Sequence, residues 1–233
     1  MAWKYILFDL DGTLTDSGPG IIRSVSYALA AFGIEVPTEQ SLRAFIGPPL
    51  YASFMKHYGF DEAKAALAVE KYREYFAVKG MYENSLYEGI AELLQELREG
   101  GSTLAVATSK PTVFAEQIAR HFGIDAYFDV IVGSELDGSR IEKSEVVAHT
   151  LMQLDVKNPA DALMVGDREH DILGARANGL ESIGVLYGYG SREELTAAQA
   201  PAIVATVQEL KDLLLPVYAA EPADYKPDGG MSK

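Results

Sequence analysis

The chain of 233 residues is 48% hydrophobic and 23% charged. That mixture excludes a disordered or collagen-like polymer and suits one elaborated domain or two small ones. It holds no Cys, which excludes a disulfide framework, a thiolate metal site and a cysteine nucleophile. A net charge of −14, from 20 basic and 34 acidic residues, argues against nucleic acid as a partner, because a duplex-binding face needs clustered Lys and Arg.

No apolar run approaches the ~20 residues of a membrane span, and Met1-Ala2-Trp3-Lys4 lacks the basic and apolar regions of a signal peptide. The expectation is a cytoplasmic protein that meets no membrane. Charge is unevenly distributed. Residues 17–82 carry seven basic and six acidic residues, a net +1 that leaves −15 on the rest of the chain, and that segment reads as a distinct module.

Tyr5-Ile6-Leu7-Phe8 is a short apolar run ending in carboxylates, the pattern of a buried strand that delivers its C-terminal end to a site. From Pro19 to Phe32, apolar positions Ile21, Ile22, Val25, Leu29 and Phe32 recur at helical spacing, and Gly33 stops the run. Thr38 is placed to cap a second helix containing Ser41-Leu42-Arg43, and Gly47-Pro48-Pro49 breaks the chain. Helical patterns at about 50–57 and 61–79 follow, so residues 17–82 read as nearly all helix.

Ile90–Leu97 is an amphipathic helix ended by Gly100-Gly101, after which strands and helices alternate. The strands are Leu104–Thr108, Val130–Gly133, Ala162–Val165 and Ser182–Leu186. Helical patterns fall near 112–122, 143–154, 169–178 and 206–215. This alternation predicts parallel βαβ units in a doubly wound α/β sheet, which binds ligands at the carboxyl ends of its strands. The expected organisation is a core of residues 1–16 and 83–215, a helical insertion at 17–82, and a flexible tail at 216–233, where no periodicity is found.

Polar residues at those strand ends are the candidates for chemistry. The first strand runs into Asp9-Leu10-Asp11-Gly12-Thr13. Two carboxylates spaced i, i+2 repel unless a cation sits between them or one is protonated; Asp-Gly-Thr alone is equally good turn chemistry. Leu104–Thr108 leads to Ser109-Lys110-Pro111, where a hydroxyl and backbone N–H groups could hold a phosphate or simply form a turn. Lys143 opens a helix, against the helix dipole unless an anion is close. Asp167 and Asp171 follow the fourth strand. His170 between them lacks any second His at ligand spacing. Four carboxylates, a hydroxyl and an ammonium thus gather at one edge of one sheet. Oxygen donors of this kind suit Mg²⁺, which would offset the repulsion among Asp9, Asp11 and Asp167.

Phe8-Asp9-Leu10-Asp11-Gly12-Thr13-Leu14, Thr108, Lys143 and Gly166-Asp167 with Asp171 resemble, in order and spacing, the four motifs of the haloacid dehalogenase-like hydrolase superfamily. The similarity spans about residues 4–215. Insertion of a helical module after the first motif resembles subclass I. Phe45–Leu50, Val106–Pro111, Gly166–Ile172 and Gly184–Ser191 are similar to the phosphoglycolate phosphatase-like branch, and within it to the 5′-nucleotidase-like group.

The resemblance implies a Mg²⁺-dependent phosphomonoesterase that works through an aspartyl-phosphate. Asp9 is then the nucleophile and Asp11 the general acid and base, the latter absent from dehalogenases of the superfamily. Thr108 and Lys143 bind the transferring phosphoryl group. The metal ligands are Asp9, the backbone carbonyl of Asp11, Asp167 and, directly or through water, Asp171. Residues 17–82 become a cap. Gly12, Thr13, Ser109, Arg43 and Gly47 are the expected substrate contacts, and Gly47-Pro48-Pro49 the specificity loop. Ser109 stands where many relatives have Asn. Tyr51, Phe54 and Tyr58 could stack on a nucleoside base, although an aromatic stripe reads first as core packing.

The implied substrate is a small phosphorylated metabolite, a nucleoside 5′-monophosphate ahead of phosphoglycolate, handled by a monomer or homodimer. A phosphotransferase or phosphomutase would use the same nucleophile. A receiver module would share the clustered Asp, hydroxyl, Lys and Mg²⁺, but has no helical insertion after its first strand and needs about half this length.

Overall fold

The computed structural model describes residues 3–35 and 38–215; the tail expected at 216–233 lies outside them. Six parallel strands form the central sheet: β1 (Tyr5–Phe8), then, after a short β2 (Thr15–Asp16) and β3 (Ser85–Leu86) that lie outside it, β4 (Thr103–Pro111), β5 (Val130–Ser134), β6 (Ala162–Gly166), β7 (Glu181–Val185) and β8 (Ala202–Val204). Their order is β5-β4-β1-β6-β7-β8. β1 is therefore central, flanked by β4 and β6, with Phe8 level with Val106 and Val165.

The strand residues are apolar on both faces because both faces are covered. Ile6, Phe8, Leu104, Val106, Leu163 and Val165 join one cluster, which packs on α4 (Ile90–Glu99), α5 (Thr112–His121) and α9 (Val207–Leu214). Leu7, Ala105, Ala107 and Met164 point the other way, onto α6 (Lys143–Gln153) and α7 (Glu169–Ala177). The result is the three-layer α/β arrangement that the alternating pattern predicts. α8 (Arg192–Ala197) lies between β7 and β8.

Between β2 and β3 the chain is helical: α1 (Gly18–Ala30), a 3₁₀ turn at Glu39–Phe45, α2 (Leu50–Tyr58), α3 (Glu62–Phe76) and a 3₁₀ turn at Gly80–Tyr82. β2 and β3 pair antiparallel, Thr15 with Leu86 and Asp16 with Ser85, so the chain leaves and re-enters the core at one place. Local signals explain the helices. Pro19 stands in the first turn of α1. The Asp61 side chain accepts the Lys64 N–H at 2.8 Å to start α3, and Gly59 ends α2 at φ +63°.

Three features depart from the sequence reading. The helix expected after Thr38 is a 3₁₀ segment, although the Thr38 hydroxyl does accept the Ser41 N–H at 3.3 Å. β4 continues through Ser109-Lys110-Pro111, with an irregular register after Ala107, rather than stopping at Thr108. That segment is extended strand up to Pro111, which stands at the N-cap of α5. The short elements β2, β3, α8 and β8 have no predicted counterpart. No helix among the described residues is long and apolar enough to cross a membrane.

Candidate active site

β1 hands over to the site without interruption: the Asp9 N–H donates to the Val165 carbonyl at 2.9 Å, extending the ladder one residue beyond the strand. The chain then turns sharply, with Leu10 O accepting the N–H groups of Leu14 and Thr15, both at 2.9 Å. Gly12 holds φ +84° in this turn, and a Cβ there would stand 2.3 Å from Asp167 Oδ2. Only glycine meets both demands.

The structure gathers the first strand-end acid with residues more than 130 positions away. Lys143 Nζ, at the first turn of α6, lies 2.7 Å from Asp9 Oδ1, 2.7 Å from Asp171 Oδ1 and 3.0 Å from the Ala107 carbonyl. All three charged residues are buried. Burial pulls the Lys143 ammonium toward neutrality, but Asp171 and Asp9 more than offset it and hold the lysine charged, above its ordinary range. The same anions remove the dipole objection to a lysine at a helix start.

Asp9, Asp167 and Asp171 each offer an oxygen within 4.8 Å of the others. Against one ammonium they leave two negative charges in a buried space. Asp167 has its carboxyl pushed well up by burial, and further by Asp171 and Asp9; Asp171 is raised chiefly by burial as well. Asp167 Oδ2 accepts the Tyr189 N–H at 2.7 Å, whereas its Oδ1 is buried without a partner. An unpartnered buried carboxylate oxygen is costly. The charge deficit, the orphaned oxygen and the all-oxygen donor set together fit a divalent cation such as Mg²⁺. His170 has no place in this cluster.

Asp11 faces a different way. Its Oδ2 pairs with Lys110 Nζ at 3.0 Å, both side chains buried, and its Oδ1 has no partner. Lys110 also lies over the Phe76 ring at 4.3 Å. Sequence reasoning did not single out Lys110; the cue was its place two residues after Thr108, at the end of the strand beside β1. Thr108 is buried, and its hydroxyl accepts the Lys110 N–H at 3.3 Å.

A cavity of about 470 Å³ opens between the helical segment and the sheet edge, with Asp11, Ser109 and Lys110 on its floor. Gly47, Pro48 and Tyr51 line one wall; Tyr72, Arg73 and Phe76 of α3 line another. Arg73 crosses to the core, donating to the Leu136 carbonyl at 3.2 Å. The expected substrate contacts therefore separate. Ser109 and Gly47 line this cavity, while Gly12 packs on Asp167 and Thr13 is wholly buried. Arg43 is exposed, 5.9 Å from the Tyr189 ring, and lines a smaller cavity that does not include Asp11. Of the aromatic stripe, Phe54 is fully buried and Tyr58 packs on Phe45 and Phe60, as core. Tyr51 alone reaches the cavity.

Residues 6–185 match the haloacid dehalogenase-like hydrolase family. The chain is 54% identical over 214 residues to a 5′-nucleotidase of Pseudomonas aeruginosa, covering 92% of this chain and 96% of that one. It is 42% identical to the tyrosine-protein kinase PtkA of Mycobacterium tuberculosis (91% and 72% covered) and 31% identical to a phosphoglycolate phosphatase of Vibrio parahaemolyticus (91% and 96%). A crystal structure described as a predicted phosphatase from Clostridium acetobutylicum superposes with a TM-score of 0.89 at 52% identity, covering 92% of this chain and 99% of that one. The chain belongs to the haloacid dehalogenase-like hydrolase family, and within it to the phosphatases.

Proposed function

We propose that this phosphatase hydrolyses a nucleoside 5′-monophosphate through a phosphorylated Asp9, with residues 1–16 and 83–215 as catalytic core and 17–82 as a cap over the leaving group. The observation that carries the reading is the buried meeting of Asp9, Lys143, Asp167 and Asp171 beside Asp11 and a cavity of about 470 Å³. The paired β2 and β3 at the base of 17–82 support the domain boundaries. The cavity is larger than a two-carbon acid needs, and Tyr51, Tyr72 and Phe76 stand in its wall. Both features favour a nucleoside over glycolate. The 5′-nucleotidase relative agrees with that choice, whereas the phosphoglycolate phosphatase relative keeps the smaller acid as the second reading.

Asp9 attacks phosphorus in line, forming the acyl-phosphate bond as the ester P–O bond breaks. Lys143 holds Asp9 in place and neutralises charge near the phosphoryl oxygens, and the Thr108 hydroxyl donates to one of them. Asp11, in its protonated form, gives its proton to the leaving alkoxide. It then takes a proton from the water that hydrolyses the intermediate. Lys110 anchors the Asp11 carboxylate from the cavity side. Asp9, Asp167, the Asp11 carbonyl and Asp171 would hold Mg²⁺, which supplies charge neutralisation for an anionic nucleophile meeting an anionic ester.

Phosphate release with Mg²⁺ across nucleoside monophosphates, phosphoglycolate, sugar phosphates and an aryl phosphate tests the reading. The expected result is the highest kcat/KM for a nucleoside monophosphate. Preference for phosphoglycolate would replace the nucleotide assignment, and transfer to an alcohol rather than water would replace the hydrolase.

A further inference from the structure

Arg168 follows Asp167 directly, yet its side chain makes no hydrogen bond to the acid cluster. Its Nε donates to Glu194 Oε1 at 2.8 Å, and a terminal guanidinium nitrogen donates to the Ile46 carbonyl. Glu194 is itself held. The same oxygen accepts the Glu169 N–H at 2.9 Å, and the Glu194 N–H is capped by the Ser191 hydroxyl at 3.1 Å. A continuous connection thus runs from α8 of the core, through the residue next to Asp167, to the loop that walls the cavity.

The loop is fixed at its two ends: Ile46 is buried in the core, and the Pro49 carbonyl accepts the Ser53 N–H and hydroxyl, both at 3.1 Å. Between those ends Pro48 and Pro49 have no backbone N–H to donate, and the Ile46 carbonyl is held by Arg168. Independently, Gly47 has φ +101°, and a Cβ there would stand 3.0 Å from a guanidinium nitrogen and 3.1 Å from Arg168 Cγ. The loop rests directly on the arginine side chain, and the residue at the contact has been left bare.

We propose that Arg168 is a specificity-positioning residue, a latch that fixes the Gly47-Pro48-Pro49 wall of the cavity and so favours phosphomonoesters whose leaving group fills it. The proposal rests on the phosphatase reading above. It assigns the Arg168 side chain no contact with phosphorus; the Arg168 backbone N–H, which donates to Asp171 Oδ2 at 3.0 Å, is common to every variant at this position. A planar guanidinium satisfies Glu194 and Ile46 at once; a lysine ammonium, a point donor on a flexible stem, is less able to.

The test compares the full-length wild type with Arg168→Met and Arg168→Lys. Steady-state kinetics use adenosine 5′-monophosphate and p-nitrophenyl phosphate, and amide hydrogen exchange follows residues 43–50. Loss of a charge-assisted hydrogen bond is expected to lower kcat/KM for the nucleotide about tenfold in Arg168→Met, mainly through KM. The smaller aryl ester should change by less than about threefold, loop exchange should quicken about tenfold, and Arg168→Lys should fall between on each readout. Equal losses for both esters, or loop exchange unchanged while the melting temperature falls, would overturn the latch and leave Arg168 a structural residue. A wild type inert toward both esters would instead sink the phosphatase reading, and the exchange result would still decide whether Arg168 holds the loop.

Discussion

Lys143→Met removes the ammonium but keeps an unbranched stem of similar length. In the wild type that ammonium lies 2.7 Å from both Asp9 and Asp171 in a buried space. Without it, three buried carboxylates face one another uncompensated. Removing one partner of a buried ion pair costs about 3–5 kcal/mol. In a domain of this size each kcal/mol moves the melting temperature by roughly 2–4 °C, so a fall of about 6–20 °C is expected in the presence of a chelator at pH 8.

The fall should shrink at pH 5.5. Burial raises the carboxyl pKa of Asp167 and Asp171 above the ordinary range. The folded state therefore keeps protons that the unfolded state releases, and this contribution grows as pH falls. Circular dichroism melts of both proteins at the two pH values make the comparison. A fall below about 2 °C at pH 8, or a larger fall at pH 5.5 than at pH 8, would refute the reasoning.

Mg²⁺ should raise the melting temperature of the wild type, and by more at pH 8 than at pH 5.5, because cation and protons compete for the same oxygens; equal shifts at both values would count against Asp167 as a ligand. Gly12→Ala should lose about 1–3 kcal/mol in urea unfolding and need more Mg²⁺ for the same stabilisation, since its Cβ would collide with Asp167 Oδ2 at a positive φ. Unchanged unfolding would show that the turn relaxes without strain.

Much of the core could be read in advance. Its strands are buried on both faces and so stand out as unbroken apolar runs, and the acids at their ends inherit their places from parallel topology. Elements without such a signature escaped. β2 and β3 have two residues each and are defined only by pairing across 69 positions. β8 has three residues, too few for a period to show. The segment after Thr38 has a working cap but settles as a 3₁₀ turn under Leu42 and Phe45, both buried against neighbouring helices. Lys110 lay in plain view beside Thr108, but its partner Asp11 is 99 residues away, and no local pattern announces an ion pair of that kind. Arg43, one turn before Gly47, lies 5.9 Å from the Tyr189 ring and lines a smaller cavity than the one Asp11 lines, a placement that no local pattern announces.

The central claim is that Asp9 carries the phosphoryl group. Rapid acid quenching of the enzyme with a ³²P-labelled nucleoside monophosphate and Mg²⁺ tests it most directly. The account predicts protein-bound label that appears and decays with turnover, is released by hydroxylamine, maps to the peptide containing Asp9, and is absent from a folded Asp9→Asn variant that releases no phosphate. Full-rate phosphate release with no labelled protein at any time, or wild-type turnover by Asp9→Asn, would contradict it.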